Sequence, residues 1–246
     1  MKIDKGKLYK DGFLKISDDI KLIIPTVGEI FDMTEQKYFS IITTLCSNAF
    51  DYKWQLYEQG LDFTKIDDYD MFITFIAPTL SSNETSILFG DTLNFKEMKV
   101  VSDKRTGEKK LIQILDDNVI IFDRVNYFTM AETLRDIHNL KRSFVKYKNE
   151  ITKIAEIEDS KMYYERHKND EYKPYLFNLV SAMVNYSGFP RNDKTVWDMN
   201  IFAFMDSVKR IQKESTAKIL LQSGYSGFGI SLKDIDKKEL DWLGEI

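Results

Sequence analysis

The sequence predicts an α+β fold that is mostly helical, with an N-terminal β-hairpin and a central three-stranded antiparallel meander. Three observations support this class: β-prone runs separated by turn residues near the N-terminus, strand-like periodicity between residues 86 and 123, and apolar residues at helical spacing elsewhere. Hydrophobic residues make up 43% of the 246 positions, which is enough for a substantial core. We expect an α+β domain over residues 1–169 and a helical C-terminal lobe with a docking tail over residues 170–246.

Turn and capping signals predict the first elements. Asp11-Gly12 separates two β-prone runs and favours a hairpin turn at that dipeptide. Thr26 and Glu29 have the spacing of a capping box, and Gly60 follows a further helix at the position that favours left-handed backbone. Two more helices are expected before the meander. The first is capped by Thr34 and has an apolar face formed by Tyr38, Ile41, Ile42 and Leu45. The second is capped by Asp67 or Asp68 and ends at Pro78, and its apolar face consists of Met71, Phe72, Phe75 and Ile76.

The central meander is predicted from three β-prone segments, residues 95–101, 110–115 and 119–122, separated by two turns. A helix with Thr129 and Glu132 at capping-box spacing should follow it. The charged stretch 146–170 has isoleucines three residues apart, which suits a mostly exposed helix. A helix beginning near Pro174 and ending at Gly188 should open the C-terminal lobe.

The strongest helix signal lies in the last fifty residues. Thr195 and Asp198 predict the start of an amphipathic helix that reaches about Lys213. Its broad apolar face is either the core of the C-terminal lobe or a surface that a partner covers. The residues of this face are Trp197, Ile201, Phe204, Val208 and Ile211, widened by Phe202 and Met205.

The chain then ends in a glycine-aromatic segment and an acidic tail. Residues 224–229 follow an expected helix, so we interpret them as a connector with aromatic anchors and not as a phosphate-binding loop. The tail interleaves aliphatic residues and a tryptophan with carboxylates, which suits a short docking helix that packs either on its own domain or on a partner. The residues predicted to bind a partner are Trp197, Ile201, Phe204, Val208, Tyr225, Phe228, Leu240, Trp242 and Leu243.

The sequence has no high-specificity catalytic motif, so we assign no catalytic residue and favour protein assembly over catalysis. A net charge of −4 with mixed signs provides no long-range positive field, which disfavours nucleic acid as a partner. Cys46 lies in an apolar run and is expected to be buried and unreactive. His138 and His167 are too far apart for a local zinc motif. We therefore expect no metal and no cofactor and, without a long apolar run, no membrane partner.

Two alternative functions rest on short patterns. Asp91 followed by Glu97-Met98-Lys99 is similar to the acidic and lysine pattern of metal-dependent nucleases of the PD-(D/E)xK type, in which carboxylates hold Mg²⁺. The segment 163–168 combines aromatic and basic residues, which could bind single-stranded nucleic acid in a regulator. The acidic residues that follow it weaken the second interpretation.

Three segments carry a resemblance to a known class of proteins: residues 25–30, 60–69 and 195–199. In these segments the chain resembles proteins from the tail modules of phages and prophages of Gram-positive bacteria. The resemblance implies a tail assembly chaperone, or a small tail or baseplate component, without transferring any functional residue. It implies binding to a larger phage tail or tape-measure-like protein, with homo-oligomerisation as a further mode. The expected location is the cytoplasm of the bacterial host or the virion.

Overall fold

The computed structural model describes residues 4–115, 118–226, 229, 233 and 235–244. It confirms the α+β class, with an N-terminal antiparallel hairpin, a central three-stranded antiparallel sheet and helices over most of the rest. The chain forms two compact units, one from residues up to 25 and 33–173, the other from residues 26–32 and 174–246. The expected domain division after residue 169 stays a prediction, because compactness alone does not show independent folding.

The first unit begins with helix α1 (Lys5–Asp11), strand β1 (Phe13–Lys15) and strand β2 (Lys21–Ile23). The hairpin is confirmed, but its predicted turn at Asp11-Gly12 is wrong. Asp4 caps α1 by accepting from the Lys7 amide at 3.2 Å, and Gly12 ends the helix with φ +68°. A glycine with positive φ serves a helix end as well as a hairpin turn, so the dipeptide alone was ambiguous.

Three helices follow along the chain: α2 (Val27–Met33), which belongs to the second unit except for its last residue, α3 (Glu35–Cys46) and α4 (Lys53–Glu58). The capping box is confirmed, because the Thr26 amide donates to Glu29 Oε2 at 2.7 Å and the Glu29 amide donates to Thr26 Oγ1 at 3.2 Å. Thr34 is not the predicted side-chain cap. It makes no capping hydrogen bond and has φ +85°. The stop at Gly60 is confirmed by its φ of +73°.

Helix α5 (Asp68–Met71) continues into a π-helical turn at Phe72–Ile76 and a 3₁₀ turn at Ala77–Thr79, and helix α6 (Ser82–Phe89) follows. The Asp67 carboxylate caps α5 by accepting from the Tyr69 amide at 2.9 Å. Pro78 lies in the 3₁₀ turn, as its missing N–H requires.

The sheet consists of strands β3 (Lys99–Ser102), β4 (Lys109–Leu115) and β5 (Asn118–Phe122), in the order β3-β4-β5. The predicted first strand starts too early, because Phe95–Glu97 form a 3₁₀ turn. One sheet face packs on an aromatic core. In that core the Phe72 ring lies 4.9 Å from Tyr127, and the Phe95 ring lies 5.1 Å from Phe122.

Helices α7 (Arg124–His138) and α8 (Glu150–His167) complete the first unit. The predicted cap at Thr129 is wrong, because Asp123 caps α7 and accepts from the Asn126 amide at 3.0 Å. Both residues have side chains that can cap, and the chain leaves β5 directly into the helix. Helix α8 is mostly exposed, as expected, and packs on α4, where the Trp54 and Tyr164 rings lie 5.3 Å apart.

Ion pairs join α8, and the segment that precedes it, to earlier elements of the first unit. Lys153 Nζ lies 2.9 Å from Asp62 Oδ1, which joins α8 to the turn after α4. The Arg142 guanidinium, in the connection between α7 and α8, donates to both oxygens of the buried Asp68 at 2.6 and 2.9 Å. Bidentate geometry of this kind is strong and directional, so it holds the connection in place.

The second unit contains helices α9 (Leu176–Val184), α10 (Ile201–Tyr225) and α11 (Lys237–Leu240), together with residues 26–32. The buried side of α9 consists of Leu176, Val180 and Met183, at the spacing of one helix face. No helix of the described residues is long and apolar enough to cross a membrane.

Candidate protein-binding surface

The segment before α10 decides where that helix begins. Thr195 was predicted as its cap, but its amide and hydroxyl hydrogen bond with Asn192 in a local turn. The cap is Asn200, whose Oδ1 accepts from the Ala203 amide at 2.8 Å. The predicted start at Thr195 is therefore wrong, and Trp197 precedes the helix.

A backbone contact within the second unit holds Asn200 at the start of α10. Residues Thr26 and Asn200 form an antiparallel bridge, and the Val27 amide donates to the Met199 carbonyl at 2.8 Å. The Gly28 amide donates to the Trp197 carbonyl at 2.9 Å. These bonds join the start of α2 to residues 197–200. Residues 193–199 form turns and bends, and Asn200 is extended, so the helix begins after Asn200 and is shorter at its N-terminus than predicted.

Trp197 is half-buried in this arrangement. Its ring meets the Phe31 ring edge-on at 5.1 Å, and its Nε1 donates to the Asp193 carbonyl at 2.6 Å. Both the apolar body and the polar N–H are therefore occupied within the second unit.

The predicted face of α10 is the core of this unit over its first turns. Ile201, Phe204 and Val208 are all buried, and the Phe204 ring contacts Phe189 at 6.4 Å edge-on. Their apolar area is already removed from water, so a partner gains little from them in this conformation. The helix also runs past the predicted end at Lys213 and includes Gly224 and Tyr225.

The acidic tail lies against α10. Asp236 caps α11 by accepting from the Lys238 amide at 2.9 Å, and Ile235 is buried. Arg210 Nη1, on α10, donates to the Trp242 carbonyl at 3.3 Å. Sequence reasoning did not single out Arg210. The sequence pattern that could have identified Arg210 is its i,i+4 spacing from Asp206. In the structure these two residues form an ion pair of 2.9 Å, which orients the guanidinium.

The remaining predicted residues divide by exposure. Tyr225 is 78% exposed, Trp242 is 40% exposed and Leu243 is 73% exposed, whereas Leu240 is half-buried. Phe228 lies outside the described residues. The tail therefore packs on its own unit while it presents a tryptophan and a leucine to solvent. That partner binding occurs through these side chains stays a prediction.

The electrostatics of α10 are those of a solvated helix. Lys218 Nζ lies 2.7 Å from Glu214 Oε1, and the hydrogen bond to that carboxylate raises the pKa of Lys218 above its usual value. Such i,i+4 pairs stabilise a helix only slightly. Among the described residues, no group of three or more His, Cys, Asp or Glu side chains could hold a metal ion.

The other sequence candidates lie in the first unit. Asp91, Glu97 and Lys99 are all exposed, and Glu97 lies in a 3₁₀ turn and not in the expected strand. Burial raises the pKa of the Cys46 thiol to about 12, so the thiol is unreactive at neutral pH, as expected from its apolar surroundings. His167 stacks on Tyr163 at 4.1 Å on the surface of α8.

Comparison with known proteins gives one match. Residues 166–246, about a third of the chain, match the family model described as the YomV second domain. YomV is a protein of Bacillus phages or prophages. No curated protein and no solved structure matches the chain. The second unit, with its exposed tail, thus lies almost entirely inside the matched region, and the match is consistent with a phage-related protein.

Proposed function

We propose that this chain is a phage assembly or structural protein that binds a larger partner through the exposed residues of its second unit. A tail assembly chaperone, or a tail or baseplate component, is the specific role we favour. The match of residues 166–246 to a phage or prophage protein domain supports the phage association. The tail-module resemblance of residues 25–30, 60–69 and 195–199 supports the specific role.

The observation that carries the proposal is the pair of exposed side chains Trp242 and Leu243 at the end of the acidic tail, which we name the tail surface. Tryptophan and tyrosine anchor protein interfaces because they bury much apolar area and keep one polar group for hydrogen bonding. Helix α11 packs on α10, and Arg210 donates to the Trp242 carbonyl, so the backbone of the tail surface is held in place before a partner binds. Binding to a preformed surface costs less conformational entropy.

The charged residues around the tail surface would fix the position of a bound partner along it. Asp236, Glu239 and Asp241 are exposed next to it, and the exposed Lys237 and Lys238 lie between them. A partner helix with an apolar stripe and both basic and acidic residues on its flanks would match this pattern. Charges at the rim of an interface mainly orient the partner and speed association, while the apolar residues at its centre supply affinity.

The test is affinity capture of the tagged chain from its native lysate after nuclease treatment. We expect the parent chain to retain one stoichiometric tail-length helical protein or a set of particle components. The double variant Trp242→Ala, Leu243→Ala should lose them, because it removes both exposed side chains of the tail surface. Ile151→Ala is the matched control, since Ile151 is an exposed aliphatic residue on α8 of the first unit.

Equal capture by the double variant and the control would remove the tail surface from the proposal. Recovery of metabolic enzymes without any phage component would contradict the assembly role itself. Circular dichroism of both variants checks that the helices are retained.

A further inference from the structure

The sheet of the first unit has a second apolar face. Cross-strand pairs place Lys99 opposite Ile112 and Ile112 opposite Ile121, and Ile114 opposite Val119. Side chains alternate between the two faces along a strand, so residues two apart in one strand share a face with these pairs. We name this set the outer face, and it consists of Val101, Ile112, Ile114, Val119 and Ile121 with Lys99 and Lys110.

The outer face is open to solvent. Val101, Ile114, Val119 and Ile121 are between 43% and 69% exposed, and Ile112 is half-buried. The opposite face carries Leu111, Ile120 and Phe122, which are all buried in the aromatic core. An antiparallel sheet with one buried face ordinarily alternates apolar with polar residues. This sheet is apolar on both faces.

Strand propensity does not explain the composition of the outer face. Threonine is also β-branched and favours strands, and it would keep the surface polar. The outer face instead carries five aliphatic side chains in adjacent positions on all three strands. Contiguous apolar patches on a sheet face are characteristic of interaction surfaces.

The charges of the outer face select the partner. Lys110 lies next to the turn that joins β3 to β4, and Lys99 begins β3 opposite Ile112, in the middle of β4. Lys110 helps to lower the pKa of Asp103, and neither lysine forms an ion pair with another described residue. A second copy of this face would bring only aliphatic groups and more lysines. A partner with carboxylates beside an aliphatic stripe supplies both the apolar contact and counter-charges for the two lysines.

The dimensions of the outer face fit one helix. Three strands spaced about 4.8 Å apart place the outer two about 10 Å from each other, which is close to the diameter of an α-helix. On β4 the outer face runs from Lys110 to Ile114, about 13 Å, which is the length of a helix of about nine residues. A helix packed there would complete a layer on the open side of the sheet, as helices do in other α and β proteins.

We propose that the outer face binds an amphipathic helix of a partner protein, with an aliphatic stripe flanked by carboxylates. This surface lies in the first unit and is independent of the tail surface. The test uses two fluorescent helical peptides of about four turns. Both carry the same leucine and isoleucine stripe, one with flanking glutamates and the other with flanking lysines. Affinities for the full chain are measured by fluorescence anisotropy.

We expect the glutamate peptide to bind at least tenfold more tightly than the lysine peptide. The variant Ile114→Thr, Val119→Thr should weaken its binding at least tenfold, because threonine preserves strand propensity while it removes aliphatic contact. The variant Lys99→Glu, Lys110→Glu should reverse the preference between the peptides. Ile151→Thr, on α8 of the same unit, is the control and should change neither affinity.

No binding of the glutamate peptide at about 1 mM, or equal binding of both peptides, would overturn the proposal. Light scattering of the parent chain supplies one more outcome. Self-association that Ile114→Thr, Val119→Thr abolishes would assign the outer face to a second copy and would likewise overturn it.

Discussion

Alanine substitutions at Phe204 and Leu243 separate the core of the second unit from its surface. Both residues were expected to contact a partner, but Phe204 is fully buried and Leu243 is largely exposed. Removing a buried phenylalanine loses its transfer free energy and leaves a cavity, which together cost about 3–5 kcal/mol. Substitution of an exposed leucine changes stability by about 0.5 kcal/mol or less. We therefore expect Phe204→Ala to destabilise the second unit strongly and Leu243→Ala to leave it unchanged.

The assay is equilibrium unfolding in urea, read by a fluorophore in the second unit. The chain has three tryptophans, and Trp54 lies in the first unit. In a Trp54→Phe, Trp242→Phe background, Trp197 remains as the only reporter. It is half-buried and contacts Phe31, so its emission should change when the second unit unfolds. A reporter confined to one unit is needed because two units need not unfold in a single transition.

If Phe204→Ala lowers the free energy of unfolding by less than about 1 kcal/mol, the burial argument is refuted, because removing a fully buried phenylalanine side chain ordinarily lowers it several times more. An equal loss for Leu243→Ala would show that Leu243 packs within the unit and is not available to a partner.

Three further substitutions or reactions test single contacts. Gly28→Ala places a Cβ 3.1 Å from the Trp197 carbonyl oxygen. We expect the free energy of unfolding to fall by about 1 kcal/mol, because overpacking outweighs the helix propensity gained. Urea unfolding followed by Trp197 fluorescence measures this change. Cys46 should react with a thiol reagent at pH 8 only at the rate of unfolding, because burial raises its pKa to about 12. Lys153→Met should move acid unfolding to higher pH, because the hydrogen bond from Lys153 lowers the pKa of Asp62.

The direction of the last effect follows from proton linkage. A carboxyl whose pKa is lower in the folded state stabilises that state above its unfolded pKa, which is about 3.9 for aspartate. This contribution is lost as the pH falls toward the folded pKa. Without Lys153 the folded pKa of Asp62 rises, so less stability remains in acid. A matched Lys153→Arg variant should retain most of it, and an unchanged acid transition in Lys153→Met would contradict the assignment. For Cys46, rapid labelling of the folded chain would show that the thiol is accessible.

Local signals in the sequence were sufficient for most helices and for the sheet. The Thr26–Glu29 capping box and the stop at Gly60 form as predicted, because each depends on residues within one helical turn. The three strands follow from alternation and turn residues, which are also local. The spacing of the α10 face was visible too, since Ile201, Phe204 and Val208 lie on one side of the helix.

The predictions of helix ends and turns failed where two nearby residues carried equivalent local signals. Asp11-Gly12 suits a hairpin turn or a helix end, and both Thr129 and Asp123 can cap α7. Thr195 and Asn200 could each begin α10. The choice of Asn200 depends on the bridge to Thr26, a residue 174 positions earlier in the chain. Sequence periodicity contains no information about such a contact.

The fold class, the principal helices, the meander and the apolar character of the C-terminal region could all be predicted from the sequence. These features follow from side-chain periodicity and from capping and turn chemistry, which act over a few residues. Which apolar residues are core and which are surface depends on long-range packing and became visible in the three-dimensional structure. Phe204 and Leu243 have similar hydrophobic character in the sequence, but long-range packing buries one and leaves the other exposed. The outer face of the sheet could not be predicted either, because apolar residues in a strand ordinarily indicate burial. The structure shows that several of these residues are exposed and that no other described residue covers them.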